Sequence, residues 1–257
     1  MINKLKTLSA VFAFILAAAS LSSCSWFNRG AVAGDKNVLP RTYPLDPAAA
    51  YTVSVTGINI EHLDDVKSYI TVDDSLKDAV VITTDENVWK SLSVSVGDDG
   101  SVTIKGDEKT RFAPSEFEIA IGVAPEKLEI AGGYTVKYLL HKGTSADIEV
   151  AGAADIELAA DRMLTNLSLT FSGAGTAELS GSAELLSVDI NGAGSVKGYG
   201  LTAGDAVIKM NGAGDAEVNV TGVLDVSISG TGSVKYKGSP TEVRQNIEGL
   251  GSVQAAD

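Results

Sequence analysis

Ser172-Gly173-Ala174-Gly175 is followed along the chain by Asn191-Gly192-Ala193-Gly194, Asn211-Gly212-Ala213-Gly214, Ser229-Gly230-Thr231-Gly232 and Glu248-Gly249-Leu250-Gly251. Two degenerate copies precede them, Ala131-Gly132-Gly133 and Ala151-Gly152-Ala153. The first glycines fall at 132, 152, 173, 192, 212, 230 and 249, so the steps are 20, 21, 19, 20, 18 and 19 residues. A fixed period of this length is the signature of a stacked repeat, in which each unit buries a face only against its neighbours.

The flanks of each turn alternate with period two, as strands do. Ile130, Val150, Phe171, Ile190, Met210, Ile228 and Ile247 stand immediately before the turn. Leu128, Ile148, Leu169, Val188, Ile208, Val226 and Gln245 stand two positions earlier. After the turn come Val136, Ile156, Ala177, Val196, Ala216, Val234 and Val253, each followed by a polar residue: Lys137, Glu157, Glu178, Lys197, Glu217, Lys235 and Gln254. Stacked at the strand spacing of about 4.8 Å, these columns place apolar residues inside and charges in solvent. Propeller repeats are twice as long, and the Leu-x-x-Leu-x-Leu spacing of leucine-rich repeats is absent. The reading is all-β: a parallel β-helix, or solenoid, with rungs of about 19–20 residues.

At the corners Gly173 and Gly175, Gly192 and Gly194, Gly212 and Gly214, Gly230 and Gly232, and Gly249 and Gly251 answer either a positive φ or a very close neighbour, both of which glycine tolerates. Asn191 and Asn211 are placed to form a short side-chain ladder. Residues 51–126 show strands without a period, and Gly97-Asp98-Asp99-Gly100 marks a hairpin or a tight rung corner. They are read as early, irregular rungs that cap one end of the solenoid.

Upstream, Lys4 and Lys6 precede an apolar run from Leu8 to Ser20 that is too short to span a bilayer but suits a signal peptide. The run ends at Leu21-Ser22-Ser23-Cys24, which resembles a bacterial lipobox. The expected organisation is a signal peptide over 1–23, a lipidated N-terminus and tether over 24–48, and the β-helix over 49–257. Cys24, the only cysteine, would carry the acyl chains and anchor the protein in the outer membrane. The lack of an acidic run after Cys24 favours the periplasmic face. A lone cysteine excludes an internal disulfide. Removing two lysines with the signal takes the formal charge from −13 to −15, which disfavours nucleic acid.

The order of these features, an export signal, Gly57-Ile58-Asn59 after the first strand, Ala124-Pro125-Glu126-Lys127-Leu128 and then the glycine ladder, resembles the auto-transporter adhesin "head GIN" domain family. The resemblance runs from about Thr52 to Ala255. It implies a right-handed parallel β-helix in an envelope protein and no catalytic residues. The departures are at Gly132-Gly133-Tyr134 and Gly152-Ala153-Ala154, where uniform corners are in doubt.

Little else carries chemistry. A calcium roll needs an acid in successive turns, whereas Thr176, Ser195, Asp215, Ser233 and Ser252 supply one. His62 and His141 are distant in sequence, and no metal, cofactor or catalytic site is expected. The acid-rich run from Asp64-Asp65 to Asp73-Asp74 reads as a solvated loop. Asp74-Ser75-Leu76 and Asn166-Leu167-Ser168 match short glycosylation patterns. Trp89, Tyr134, Tyr138, Tyr199 and Tyr236 are candidates for a sugar-stacking surface, with Tyr138 and Tyr236 at inward positions. The functional expectation is adhesion or ligand binding without catalysis, towards a glycan or an envelope or host protein. The rivals are an envelope scaffold and, by fold analogy, a polysaccharide lyase or hydrolase. The last rung, Ser252 to Asp257, is expected to offer unpaired strand edges to a partner or a second copy.

Overall fold

The computed structural model describes residues 31–46, 49–60 and 68–256. The signal segment, Cys24, His62 and Asp64-Asp65 lie outside the described residues. From Val32 onward the chain forms one compact unit. Its elements are β1 (Val32–Ala33), β2 (Val38–Pro44), β3 (Thr52–Thr56), β4 (Asn59–Ile60), β5 (Ser68–Asp73), β6 (Ala79–Asp85) and a single helical turn, α1 (Glu86–Trp89). Then follow β7 (Leu92–Val96), β8 (Ser101–Gly106), β9 (Arg111–Ala113), β10 (Phe117–Ile121), β11 (Lys127–Ile130), β12 (Gly133–Leu140) and β13 (Ser145–Val150). The periodic part continues through β14 (Ala153–Phe171), β15 (Ala174–Ile190), β16 (Ala193–Met210), β17 (Ala213–Val220), β18 (Val223–Ile228), β19 (Thr231–Gly238), β20 (Glu242–Ile247) and β21 (Leu250–Ala255).

These strands coil into a parallel β-solenoid of about six turns, as the period requires. Each coil runs along a first wall, turns at a glycine corner, returns along a second wall and bends back. β14, β15 and β16 each run through that bend, where the register slips between Ala159 and Met163 and between Glu178 and Ser180. The first wall stacks β8, β3, β11, β13, the second halves of β14 to β16, β18 and β20 in parallel. The second wall stacks β10, β5, β12, the first halves of β14 to β16, β17, β19 and β21 in parallel.

The inward columns meet as the alternation predicts. Val150 pairs with Phe171, Phe171 with Ile190, Ile190 with Met210 and Met210 with Ile228. All five are inaccessible to solvent. Burying a large side chain of this kind contributes about 1.5–3 kcal/mol, and the column repeats the gain at every rung.

The corners explain the glycines by close approach. The amide after each first glycine donates to the glycine carbonyl one rung below: Ala174 to Gly152, Ala193 to Gly173 and Ala213 to Gly192, each at 2.9 Å. That bond draws the rungs so close that a Cβ at Gly173, Gly192, Gly212, Gly230 or Gly249 would overlap the preceding glycine's carbonyl oxygen. The corners at Gly132 and Gly152 belong to the same series, since Ala153 donates to Gly132 at 2.7 Å and Gly133 pairs with Ala153. The doubt about uniform corners there is thus removed. Only the inward residue changes: Tyr134 and Ala154 stand in register with Gly175.

The first rungs depart from sequence order. β8 and β10 stack outside β3 and β5, although they follow them in the chain. The connection from β10 to β11 therefore crosses the β3–β5 rung, and Gly122 on it sits against the Lys77 carbonyl. Beyond this rung the strands reverse. β7 pairs antiparallel with β8, β6 with β10, and β2 with β6. A short parallel sheet, β1-β9-β4, closes the corner side. The aperiodic segment therefore combines true rungs with an antiparallel cap, and Gly97 to Gly100 closes a hairpin.

The tether expectation for residues 24–48 needs correction over its second half. β2 is an ordered strand, and Leu45 is buried, with its amide donating to Asp78 at 3.0 Å. Trp89 Nε1 donates to the Leu39 carbonyl at 3.1 Å, and the Arg41 guanidinium lies 4.3 Å from the Trp89 ring centre. Asp85 ties the cap together. Its buried carboxylate accepts from the Lys36 amide (2.8 Å), the Ser115 amide (2.7 Å) and the Ser115 hydroxyl (2.5 Å).

Two predictions follow from corner and cap. Gly212→Ala should destabilise the fold by about 1–3 kcal/mol through overpacking against backbone. Gly194→Ala should cost less, because the nearest atoms to its Cβ would be the Phe171 and Ile190 side chains at 3.3 and 3.4 Å rather than backbone. Denaturant unfolding of the two variants measures the difference. For Asp85, burial opposes ionisation, but the Ser115 and backbone donors outweigh it and hold the carboxyl below its ordinary value. Its contribution is present above the unfolded carboxylate pKa of about 3.9 and is lost as pH falls through the lower folded value. Asp85→Asn should remove about 1–3 kcal/mol at neutral pH and flatten the acid limb of the stability profile, read by thermal melts from pH 2 to 7.

Candidate functional site

Because the interior is filled, the chemistry available to other molecules lies on the outer walls, the corners and the ends. On the second wall two outward columns run the length of the periodic part. One stacks Thr135, Asp155, Thr176, Ser195, Asp215, Ser233 and Ser252, and the other Lys137, Glu157, Glu178, Lys197, Glu217, Lys235 and Gln254. Thr176 donates its hydroxyl to Asp155 at 2.5 Å, and Ser233 donates to Asp215 at 2.6 Å. The expected polar column is formed, and its Glu178–Lys197, Lys197–Glu217 and Glu217–Lys235 steps suit cross-strand attraction, whereas Glu157 and Glu178 stand opposite each other as like charges.

At the corner Asn211 Nδ2 donates to Asn191 Oδ1 at 2.9 Å, and the Ser229 hydroxyl donates to Asn211 Oδ1 at 2.7 Å. The asparagine ladder thus spans three rungs. On the first wall the Lys127 ammonium lies 2.8 Å from both Glu129 and Glu149. These two carboxylates hold Lys127 protonated well above the ordinary lysine range.

Gly57, Ile58 and Asn59 have separate structural jobs. Gly57 lies at φ +67°, in the left-handed region, and a Cβ there would meet the Gly106 carbonyl at 2.8 Å. Ile58 enters the core. Asn59 Nδ2 donates to the Glu108 carbonyl at 3.0 Å, binding the β3–β5 rung to the one outside it. The tripeptide is thus the corner of a rung whose outer neighbour comes later in the chain.

The aromatic surface does not assemble. Trp89, Tyr134 and Tyr138 are buried, and burial drives both tyrosine phenols upward in pKa. Tyr236 packs partly against the core. The Tyr199 face is covered by Lys237, whose ammonium lies 4.5 Å from the ring centre. Tyr69, 41% exposed on the second wall, is the exposed aromatic that the sequence reading missed.

Near the bend, Asp74 overturns the solvated-loop reading at that position. It is buried and accepts the amides of His141 (2.8 Å), Lys142 (2.9 Å) and Gly143 (2.7 Å). His141 lies between two acids, with Nδ1 2.5 Å from Asp161 and Nε2 3.6 Å from Asp73. Asp73 lies below the usual carboxylate range, chiefly because the Ser75 hydroxyl donates to it. Among the described residues no three histidine, cysteine or acidic side chains are grouped to hold a metal ion. Ser75 is exposed on the turn after β5, whereas Asn166 is half-buried on the first wall.

The family described as "Putative auto-transporter adhesin, head GIN domain" matches residues 55–240. The chain belongs to this family. A "putative adhesin" from Bacteroides fragilis has a similar structure, 21% identical, with a TM-score of 0.69 over 88% of this chain and all of that one. Another from Parabacteroides merdae is 18% identical, with a TM-score of 0.56 over 89% of this chain and all of that one. A "putative lipid binding protein" from Parabacteroides distasonis gives the same three values, again over its whole length. At these identities the likeness establishes the head GIN fold alone. No protein of curated function matches the sequence.

The expected outcome at the corner is that Asn211→Ala, which breaks both ladder bonds, costs about 0.5–1.5 kcal/mol. Equilibrium unfolding in urea would measure it.

Proposed function

We propose that this head GIN protein is an outer-membrane lipoprotein, acylated at Cys24, whose solenoid is a rigid non-catalytic module for adhesion or ligand binding. The ligand is a glycan or a protein of the envelope or a host. The observation that carries the reading is the pair of uninterrupted polar columns on the second wall, displayed at strand spacing over a filled core. Such a wall suits an extended ligand that is contacted repeatedly, because every rung offers polar side chains at a fixed pitch. Family membership supports a binding role, and the adhesin descriptions of the structural neighbours agree with it. A lipid held inside the solenoid is disfavoured, since core side chains such as Phe171, Ile190 and Met210 leave no solvent-exposed interior surface.

Cys24→Ala should leave the protein unacylated and release it from the membrane fraction, as followed by mass spectrometry and fractionation. The intact protein should bind one class of envelope glycan or matrix protein on an array. Joint Lys197→Gln and Lys235→Gln, which removes the positive charges without setting like charges opposite one another, should weaken that binding about tenfold while the chain stays folded by circular dichroism. Turnover of any glycan that disappears when one carboxylate is changed would overturn the non-catalytic reading.

A further inference from the structure

We propose that Tyr69 is the stacking platform of a subsite for an uncharged pyranose glycan on the second wall, with Glu118, Thr71, Thr135 and Lys137 as its hydrogen-bonding rim. The inference rests on the binding role proposed for that wall, and it names the ligand class and the anchor. Along β5 the side chains of Ser68, Ile70 and Val72 are buried, so alternation turns Tyr69 and Thr71 outward. Tyr69 thus stands in the outward column that continues through Thr135 and Asp155. From Thr135 to Ser252 that column holds only threonine, serine and aspartate, whereas this rung carries an aromatic ring that is 41% exposed. Among the described residues no other aromatic side chain is as open.

Register sets what surrounds the ring. Glu118 stands opposite Tyr69 on β10 and Thr135 opposite it on β12, about 4.8 Å to either side at strand spacing. Thr71 lies two residues further along β5, and Lys137 is its partner on β12. Among the described residues the side chains of Glu118, Thr71 and Thr135 enter no hydrogen bond or ion pair. Further along the same column Thr176 and Ser233 are instead committed to Asp155 and Asp215. The polar groups left available for a ligand therefore gather where the exposed ring is.

This chemistry fits a neutral sugar better than a protein or an acidic polymer. A pyranose presents C–H bonds on its faces and hydroxyls around its rim. One face can pack on the electron-rich face of the phenol ring while the rim meets donors and acceptors one strand away. Lys137 supplies donors, Glu118 acceptors and the two threonine hydroxyls both. Glu118 and, beyond Thr135, Asp155 outnumber Lys137, which disfavours uronates and other anionic chains. A protein partner would need an apolar interface core around its anchor. Among the described residues no large apolar side chain faces outward beside Tyr69: the neighbours across β10 and β12 are Glu118, Ala120, Thr135 and Lys137.

The test is calorimetric titration of the full-length chain in a detergent without sugar headgroups. The probes are neutral hexasaccharides of glucose, mannose, galactose and N-acetylglucosamine, with hexagalacturonate as the anionic counterpart. Ligand concentrations up to about 5 mM capture a dissociation constant of about 1 mM. At least one neutral hexasaccharide should bind, and hexagalacturonate should bind at least about tenfold more weakly. Tyr69→Ala should weaken the neutral sugar at least about tenfold, whereas Tyr69→Phe, which keeps the ring, should hold it within about twofold. An unchanged circular dichroism spectrum for Tyr69→Ala would exclude misfolding, and equal losses in Tyr69→Ala and Tyr69→Phe would overturn stacking. A neutral sugar that binds Tyr69→Ala as tightly as the wild type would overturn the subsite and leave the binding role of the wall standing. So would a wild type that ignores every neutral hexasaccharide but captures a matrix protein. Preference for hexagalacturonate would overturn the ligand class. A wild type that binds neither sugars nor proteins would overturn both this inference and the binding role beneath it.

Discussion

Everything in this solenoid depends on one backbone contact, the amide after each corner glycine donating to the glycine carbonyl of the rung below. The bond is short enough to leave no room for a Cβ, so the residue type is fixed at every repetition. Once the corner is held at strand spacing, both walls are forced into register on either side of it. Register in turn decides which side chains face inward, because a slip of one residue would exchange the core and solvent faces. The apolar columns are therefore as much a consequence of the corner as its partners in stability. A solenoid of this kind is a nearest-neighbour system, in which each rung is stabilised by the two it touches.

Such a stack must end, and the described residues show how one end is closed. The strands reverse direction in β6 and β7, and β2 adds a further antiparallel strand bearing two prolines. Asp85 gathers donors from residues 36 and 115, so one carboxylate joins segments about fifty and thirty positions away. The inverted order of the first two rungs adds a topological lock, since the chain must cross β3–β5 to begin β11. Pairings such as Ser68 with Phe117 close a longer stretch of chain than the step from one periodic rung to the next.

The periodic part was legible because its signal is redundant: seven corners report the same geometry, and one irregular copy does not obscure it. Tyr134 replaces a glycine in register without disturbing the corner, so the departures from Gly-x-Gly were departures of side chain only. The cap was less legible because nothing in it repeats. Pro40 and Pro44 suggested a tether, yet proline is tolerated on an edge strand whose outward amides have no partner, which is where β2 lies. Asp74 looked solvated because its three amide donors sit 67 to 69 residues further on, beyond the reach of local pattern. The aromatic surface failed for a related reason: an aromatic in an aperiodic or inward position fills space before it is free to bind.

Function is harder to read than fold for a reason the architecture supplies. The corner and the apolar columns constrain the inward residues, whereas the outward ones need only be soluble and compatible with their neighbours across the ladder. Structures only 17–21% identical to this chain share its architecture over their whole length, as such a narrow constraint allows. Any specificity therefore resides in residues that the fold leaves free, such as the Asp155–Thr176 and Asp215–Ser233 steps and Tyr69. Because the walls are stiff and their pitch is fixed, a change at one rung alters the spacing of displayed groups without altering the scaffold. A rigid scaffold with independently variable outer positions lets one architecture serve different ligands, with recognition carried by surface chemistry alone.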